Sequence, residues 1–228
     1  MPTGLGGEVI WLCPSLDDSP NDLSGNGNHG TYLNGLSTIS NSEFGGSRAY
    51  NFDGSDDRIS FNYIASMNQI SAFSAFFWIY KLGSFSNYII NKGGSNKRSP
   101  WINTYRNGRF ETNLMLENNT GDSIFYNGYG QGIYNQWDHI GLSWDGINAN
   151  HYVNGNLVNT GVTSAGSNTI NDYGSSFGLG ANGGGIYGYL DDIRIYNRGL
   201  SSVEVALLYS KRGYSPSTHI HRTLLGVG

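Results

Sequence analysis

A glycine-rich segment, residues 22–30 (DLSGNGNHG), carries the side chains best suited to hold a cation. Asp22, Asn26 and Asn28 offer side-chain oxygens at short spacing, and the intervening glycines let the backbone turn its carbonyls inward. Ca²⁺ binds six to eight oxygens of these kinds. The segment therefore predicts a calcium site. The alternative is a metal-free loop in which Asp22 and Asn28 cap turns through hydrogen bonds to the backbone.

A second group of residues, aromatic side chains in or near predicted loops and strand ends, could bind sugars by stacking on pyranose rings. The densest stretch is residues 126–137 (YNGYGQGIYNQW), where Tyr, Asn and Gln alternate with glycine. The alternative is that these rings pack on sheet faces and keep only their hydroxyls in water. The predicted glycan-binding residues are Trp101, Tyr105, Tyr126, Tyr129 and Tyr134.

The sequence carries no recognisable catalytic constellation. Glycoside hydrolysis needs two carboxylates that flank the sugar, and none of the five glutamates stands in an E-x-D-x-x-E pattern. The five histidines form no i,i+4 zinc-binding pair, and neither a G-x-S-x-G elbow nor a phosphate-binding loop is present. We therefore expect no catalytic residue and no enzymatic activity, with a carbohydrate-active enzyme as the remote alternative.

The elements that must position these residues are predominantly strands. Apolar and polar residues alternate with a period of two in segments such as residues 71–82, 137–146 and 189–198, and Asn107-Gly108 and Asn154-Gly155 are typical of two-residue hairpin turns. Only residues 201–212 predict a helix, short and beginning at a serine N-cap. About a dozen strands without a linker predict one antiparallel all-β sandwich with one short C-terminal helix.

Composition excludes several other classes of protein. The 228 residues include 34 glycines, only 13% are charged, and the formal net charge is −4. An acidic balance argues against a nucleic-acid partner, and no segment is apolar enough for a transmembrane helix. Cys13 is the single cysteine, so no disulfide forms within the chain.

Six segments together resemble the laminin-G-like group of concanavalin A-like domains. They are residues 22–30, 49–61 (AYNFDGSDDRISF), 75–80 (AFFWIY), 137–146 (WDHIGLSWDG), 152–158 (YVNGNLV) and 188–205 (GYLDDIRIYNRGLSSVEV), and they cover about residues 8–212. The resemblance implies an antiparallel two-sheet jelly roll, usually non-catalytic, often with one calcium ion, that binds glycans or proteins. In that topology the last strand returns beside the first segment, which implies that Asp191 and Asp192 complete the calcium site.

The last residues of the chain differ in composition from the rest. After a laminin-G-like sandwich at residues 1–212, residues 213–228 contain no acidic side chain and end in an apolar run. We expect this segment to be an arm that docks on a neighbouring subunit; the alternative is a tail packed on its own domain. The residues predicted to make the arm's contacts are Arg212, Tyr214, His219, His221, Arg222, Leu224 and Leu225.

The N-terminal residues MPTGLGGEVI have neither the basic region nor the apolar region of a secretion signal. Short laminin-G-like proteins with a basic tail resemble capsid-decorating or fibre components of tailed phages. The resemblance implies a structural protein on a virion surface, made in the host cytoplasm and surrounded by other virion proteins in many copies. The alternative is a soluble, extracellular carbohydrate-binding module whose partners are cell-surface glycans.

Overall fold

A computed structural model describes residues 5–41, 47–83, 87–92, 100–104, 109–114, 130–131, 134–162, 177–180 and 185–211. Within them the chain forms fifteen strands, one short 3₁₀ helix (Ala65–Met67) and one α-helix, α1 (Ser202–Lys211). The strands are β1 (Glu8–Leu12), β2 (Gly30–Leu33), β3 (Ser37–Asn41), β4 (Ser47–Asp53), β5 (Arg58–Phe61), β6 (Phe73–Lys81), β7 (Asn87–Lys92), β8 (Pro100–Thr104), β9 (Arg109–Leu114), β10 (Gly130–Gln131), β11 (Trp137–Trp144), β12 (Asn148–Val153), β13 (Asn156–Val162), β14 (Phe177–Leu179) and β15 (Tyr187–Tyr196).

Two antiparallel sheets make up the fold. The larger has eight strands in the order β13-β12-β11-β6-β15-β4-β3, with β1 also paired to β15, and the smaller has seven in the order β10-β9-β8-β7-β14-β5-β2. The large sheet pairs strands that are far apart in sequence, so β6 lies between β11 and β15. The antiparallel jelly-roll sandwich expected from the sequence is confirmed.

Alternation along the central strands produces the main core. On β6, Phe73, Ala75, Phe77 and Ile79 belong to the apolar cluster between the sheets, while the side chains between them point to the outer face of the large sheet. Each buried aromatic or aliphatic side chain of this size contributes about 1.5–3 kcal/mol to folding. The period-two pattern therefore directs one face of the strand into the core between the two sheets.

Helix α1 covers part of the outer face of the large sheet. Val205 and Leu208 of the helix pack with Phe76, Tyr152 and Tyr196 in a second apolar cluster. A side chain at Gly141 would collide with this cluster, since a Cβ there would lie 2.1 Å from Cδ1 of Phe76. The glycine thus leaves space for the Phe76 ring, which packs with Val205 and Leu208 of the helix.

Local turn chemistry agrees with two of the sequence predictions. Asn154 and Gly155 connect β12 to β13 with φ of 50° and 76°, the left-handed pair that a type I′ hairpin needs. Helix α1 begins after Ser201, whose hydroxyl and backbone N–H both donate to the Glu204 carboxylate. The predicted helix is confirmed, whereas Asn107-Gly108 and residues 213–228 lie outside the described residues.

Across the described part of the chain, no helix is both long and apolar enough to span a membrane.

Candidate functional site

The glycine-rich segment folds around the carboxylate of Asp22, which is 7% exposed. Its Oδ1 accepts hydrogen bonds from the backbone N–H groups of Trp11 and Ser24, each at 2.9 Å. Its Oδ2 accepts from the Ser24 hydroxyl at 2.8 Å and from the Asn28 N–H at 2.9 Å. Four donors thus converge on one side chain, and the loop closes against β1.

The two asparagines of the segment pin the loop to the same strand. The Asn26 amide donates to the carbonyl of Glu8 at 2.6 Å, and the Asn28 amide donates to the carbonyl of Val9 at 2.8 Å. Both side chains therefore use their N–H groups to satisfy backbone acceptors of β1, as Asx-type loop residues commonly do.

Asp191 and Asp192 lie on β15, the strand that pairs with β1, where the pairing of β15 with β6 shifts register. The Asp192 Oδ1 accepts from the Trp11 indole at 2.6 Å and from Nε of Arg194 at 2.8 Å, and the Arg194 guanidinium lies 4.3 Å from the Trp11 ring. Asp191 accepts hydrogen bonds from the Ser15 hydroxyl and the Asp192 N–H. Burial raises the pKa of Asp191 to about 7.

The structure therefore brings Asp22 and Asp192 to a single residue, Trp11, through its backbone N–H and its indole. The oxygens that a calcium ion would need already accept N–H and O–H donors, and the two amides present nitrogen to the backbone. Among the described residues no group of three or more His, Cys, Asp and Glu side chains could hold a metal ion. This donor set fits a hydrogen-bonded corner better than a calcium site, and calcium stays a prediction.

Of the predicted glycan-binding aromatics, only Tyr134 has a described side chain. It is 38% exposed, and Nζ of Lys81 lies 4.9 Å from the centre of its ring. Trp101 is placed in β8. Tyr105, Tyr126 and Tyr129 lie outside the described residues, as do all the predicted arm residues from Arg212 to Leu225.

An aromatic group that the sequence analysis did not select lies on the outer face of the large sheet. Tyr80 of β6 pairs with Trp137 of β11 on one side and with Tyr189 of β15 on the other. The ring centres are 5.7 Å apart for Tyr80 and Trp137, with planes tilted by 59°, and 5.5 Å apart for Tyr80 and Tyr189, with planes 27° apart. We call these three residues the aromatic row; each is half-buried.

Tyr187 extends the exposed aromatic surface beside the row. It is two residues from Tyr189 on the same strand and 43% exposed. Its ring lies against Gly83, where a Cβ would come within 2.9 Å of Cδ1 of Tyr187, and against Gly54. The two glycines therefore provide space for this ring at the edge of the aromatic surface.

Alternation in the sequence already placed Tyr80 on the face opposite Ile79, and Trp137 on the face opposite Ile140. The sequence did not reveal the register, because β6, β11 and β15 meet through pairings over long sequence separations. The sequence analysis named neither Tyr80 nor Tyr189 as a binding residue, and it included Trp137 only as the last residue of the segment 126–137. Nothing local distinguished these three as residues that remain half-exposed.

A family model described as the concanavalin A-like lectin/glucanase superfamily, of laminin G type, matches residues 53–206. A comparison with curated proteins gave no match.

Several solved structures are similar in fold. The binding domain of a paraclostridial mosquitocidal protein has a TM-score of 0.73 at 18% identity, over 89% of this chain and 52% of that one. Domain 4 of AbnA, an extracellular arabinanase of Geobacillus stearothermophilus in complex with arabinotriose, has a TM-score of 0.67 at 18% identity, over 89% and 98%. The binding domain of botulinum neurotoxin serotype D has a TM-score of 0.68 at 16% identity, over 90% and 52%.

At identities this low, the similarity establishes a shared fold and nothing about function. The chain spans about half the length of the two toxin domains, whereas it matches nearly all of the arabinanase domain.

Proposed function

Since the chain belongs to the concanavalin A-like lectin/glucanase superfamily, we propose that it is a non-catalytic carbohydrate-binding module that uses the outer face of its large sheet. The proposal adopts the alternative of the sequence analysis in place of its first choice, a structural protein of a virion.

The observation that carries this proposal is the aromatic row. Tyr80, Trp137 and Tyr189 come from three neighbouring strands and remain half-exposed on a face that α1 covers in part. Aromatic rings combine a large apolar surface with a polar edge, which matches a sugar's apolar ring face and its hydroxyls. Because the row lies on central strands of a packed sheet, it is held in place before a ligand arrives.

Four of the described carboxylates have structural partners within the protein, which supports binding in preference to catalysis by these four. Asp22, Asp191 and Asp192 are buried and accept hydrogen bonds from neighbouring protein groups, and Glu204 caps helix α1. None of these four is paired across the aromatic row in the way that a glycosidase needs for its acid and its base or nucleophile.

The descriptions of the similar structures support this proposal, because they are of domains that bind. Two are described as binding domains, and the third is a domain of an arabinanase in complex with arabinotriose. Of these three structures, the arabinanase domain is the one that this chain covers over nearly the whole length of the neighbour, 98%. We therefore propose a module attached to or acting beside a polysaccharide-degrading enzyme.

The test is glycan-array screening of the full chain, followed by titration calorimetry with the polysaccharides that it retains. Tyr80→Ala and Trp137→Ala should each weaken binding about tenfold or more, equivalent to about 1.4 kcal/mol. Tyr63→Ala is the matched control, because Tyr63 is 51% exposed and outside the row. Circular dichroism checks that each variant is folded.

Unchanged affinity in folded Tyr80→Ala and Trp137→Ala would contradict the row as the binding surface. Retention of no glycan at all would contradict the function itself. The virion role, with its many copies and its surface location, stays a separate prediction that depends on residues 212–228.

A further inference from the structure

We propose that the ligand is an extended, uncharged oligosaccharide of about four or five sugar units that lies across the strands of the large sheet. This inference rests on the proposed carbohydrate-binding function and adds the direction, the length and the charge of the ligand.

The direction follows from the register of five strands. Beyond Tyr189, the same row continues to Asn51 of β4 and then to Ser37 of β3. Trp137, Tyr80, Tyr189, Asn51 and Ser37 therefore occupy paired positions on β11, β6, β15, β4 and β3. We call these five residues the extended row.

All five residues belong to the outer face of the sheet. Residues next to them in their strands, Ile79, Leu190, Tyr50 and Phe52, are in the main core between the sheets. Because side chains alternate along a strand, the extended row points away from that core. Ser37 is exposed and the other four are half-buried.

The spacing of the strands sets the length. Neighbouring strands lie about 4.8 Å apart, so five paired positions span about 19 Å. A ligand that uses the whole row must be long and must repeat a unit with an apolar face and polar edges. The first three positions offer aromatic rings, and the last two offer an amide and a hydroxyl that both donate and accept hydrogen bonds.

The composition of the row determines the charge of the ligand. None of its five side chains is ionisable near neutral pH, so a carboxylate or sulfate on the sugar would lose water without gaining a charged partner from the row. On β4, two residues from Asn51, the exposed Asp53 pairs with Tyr187 and would repel an anion. Uncharged sugars therefore fit this surface best.

Aromatic rings border the row on both sides. On one side Tyr209 of α1 stacks on Trp78 with ring centres 5.5 Å apart, and Trp78 is two residues from Tyr80 on β6. On the other side, the ring of Tyr187 lies against Gly83. A ligand that follows the strands would run into one of these rings, whereas a ligand that crosses the strands lies between them.

The test is calorimetry of the full chain with cello-, xylo- and arabino-oligosaccharides of about two to six units. Affinity should rise with length and level off near four or five units. Asn51→Ala and Ser37→Ala should weaken binding of the longest ligands by about tenfold together and leave the disaccharides unchanged, whereas Tyr80→Ala weakens every length. Ser40→Ala is the matched control, because Ser40 is exposed on the same strand but faces the other way.

A second measurement does not require any variant. In NMR titrations, the backbone amides of Ser37 and Asn51 should shift with the hexasaccharide and not with the disaccharide.

Binding that depends on Tyr80 but does not change with length, or that Asn51→Ala weakens equally at every length, would overturn the crossing ligand and leave the module proposal standing. Binding of hyaluronan or polygalacturonate with no binding of the uncharged series would overturn the charge assignment. Affinity that is unaffected by Tyr80→Ala would instead overturn the proposed function on this face.

Discussion

At the scale of single residues, Trp11 donates hydrogen bonds to two carboxylates, one through its backbone and one through its side chain. Asp22 accepts from its backbone N–H, and Asp192 accepts from its indole while also pairing with Arg194. Taking two carboxylates out of water is costly unless their oxygens find donors. The corner supplies these donors from the backbone, from a hydroxyl and from a guanidinium, so the glycine-rich segment has a defined structure that joins the first strand to the last.

A calcium titration tests this corner directly. The Asp22 oxygens already accept four hydrogen bonds. A ligand stabilises a fold only by binding to it, so we expect that neither Ca²⁺ at about 5 mM nor an excess of chelator will change the melting temperature. Differential scanning calorimetry measures both. A rise with Ca²⁺ that is lost in Asp22→Asn, and not in the exposed Asp56→Asn, would instead establish the calcium site.

The buried histidine His139 predicts an acid-sensitive fold. Burial, with a smaller effect of Arg194, lowers its pKa to about 3, so below pH 6.5 the unfolded chain takes up a proton that the folded chain does not. The free energy of unfolding should fall by up to about 1.4 kcal/mol per pH unit between pH 6.5 and 4 on this account. His151, with a pKa lowered to about 4 by burial, adds to the loss.

Urea denaturation of wild type and His139→Gln at several pH values isolates the effect. The variant should lose less stability between pH 6.5 and 4, and any opposing contribution of Asp191, whose pKa is raised, is common to both proteins. Parallel pH profiles for the two proteins would contradict the assignment to His139.

At the scale of elements, α1 changes what the large sheet can present. Its Tyr209, Val205 and Leu208 cover outer-face residues that alternation alone would leave exposed, including Phe76 and Trp78. Tyr209 stacks on Trp78, whereas Tyr80, two residues further along β6, is half-buried and belongs to the aromatic row. The element that stabilises the sheet also delimits its candidate binding surface.

The start of α1 offers a test of how the helix is held. The Ser201 hydroxyl donates to Glu204 and accepts from the Glu204 N–H at 3.3 Å, which forms a capping box. Ser201→Ala should cost about 1 kcal/mol, whereas Ser202→Ala, one residue inside the helix, should cost much less. Chemical denaturation compares the two, and equal losses would contradict the cap.

At the scale of the whole molecule, the described core clusters lie within the sandwich and α1. If residues 213–228 form an arm that docks on a neighbouring subunit, deleting them should leave the melting temperature of the domain nearly unchanged. If those residues form the predicted arm, the deletion should also lower the oligomeric state. Multi-angle light scattering of both proteins measures the mass. An unchanged mass would contradict the arm, and a large loss of stability would favour a tail packed on its own domain.

The sequence by itself determined the elements and the class of the fold. Period-two alternation identified β6, β11 and β15, Asn154-Gly155 identified a hairpin, and a serine N-cap identified the start of the helix, because each of these signals acts within a few residues. The family resemblance, carried by six short segments, rests on the same local patterns and agrees with the match to residues 53–206.

Only the tertiary structure decided which residues form a surface. Asp22 and Asp192 meet at Trp11 across 170 positions of the chain, and there they accept hydrogen bonds from its backbone N–H and its indole. Tyr80, Trp137 and Tyr189 become one row through the register of three strands. Pairing register and helix cover depend on contacts between distant segments, and no local pattern encodes them.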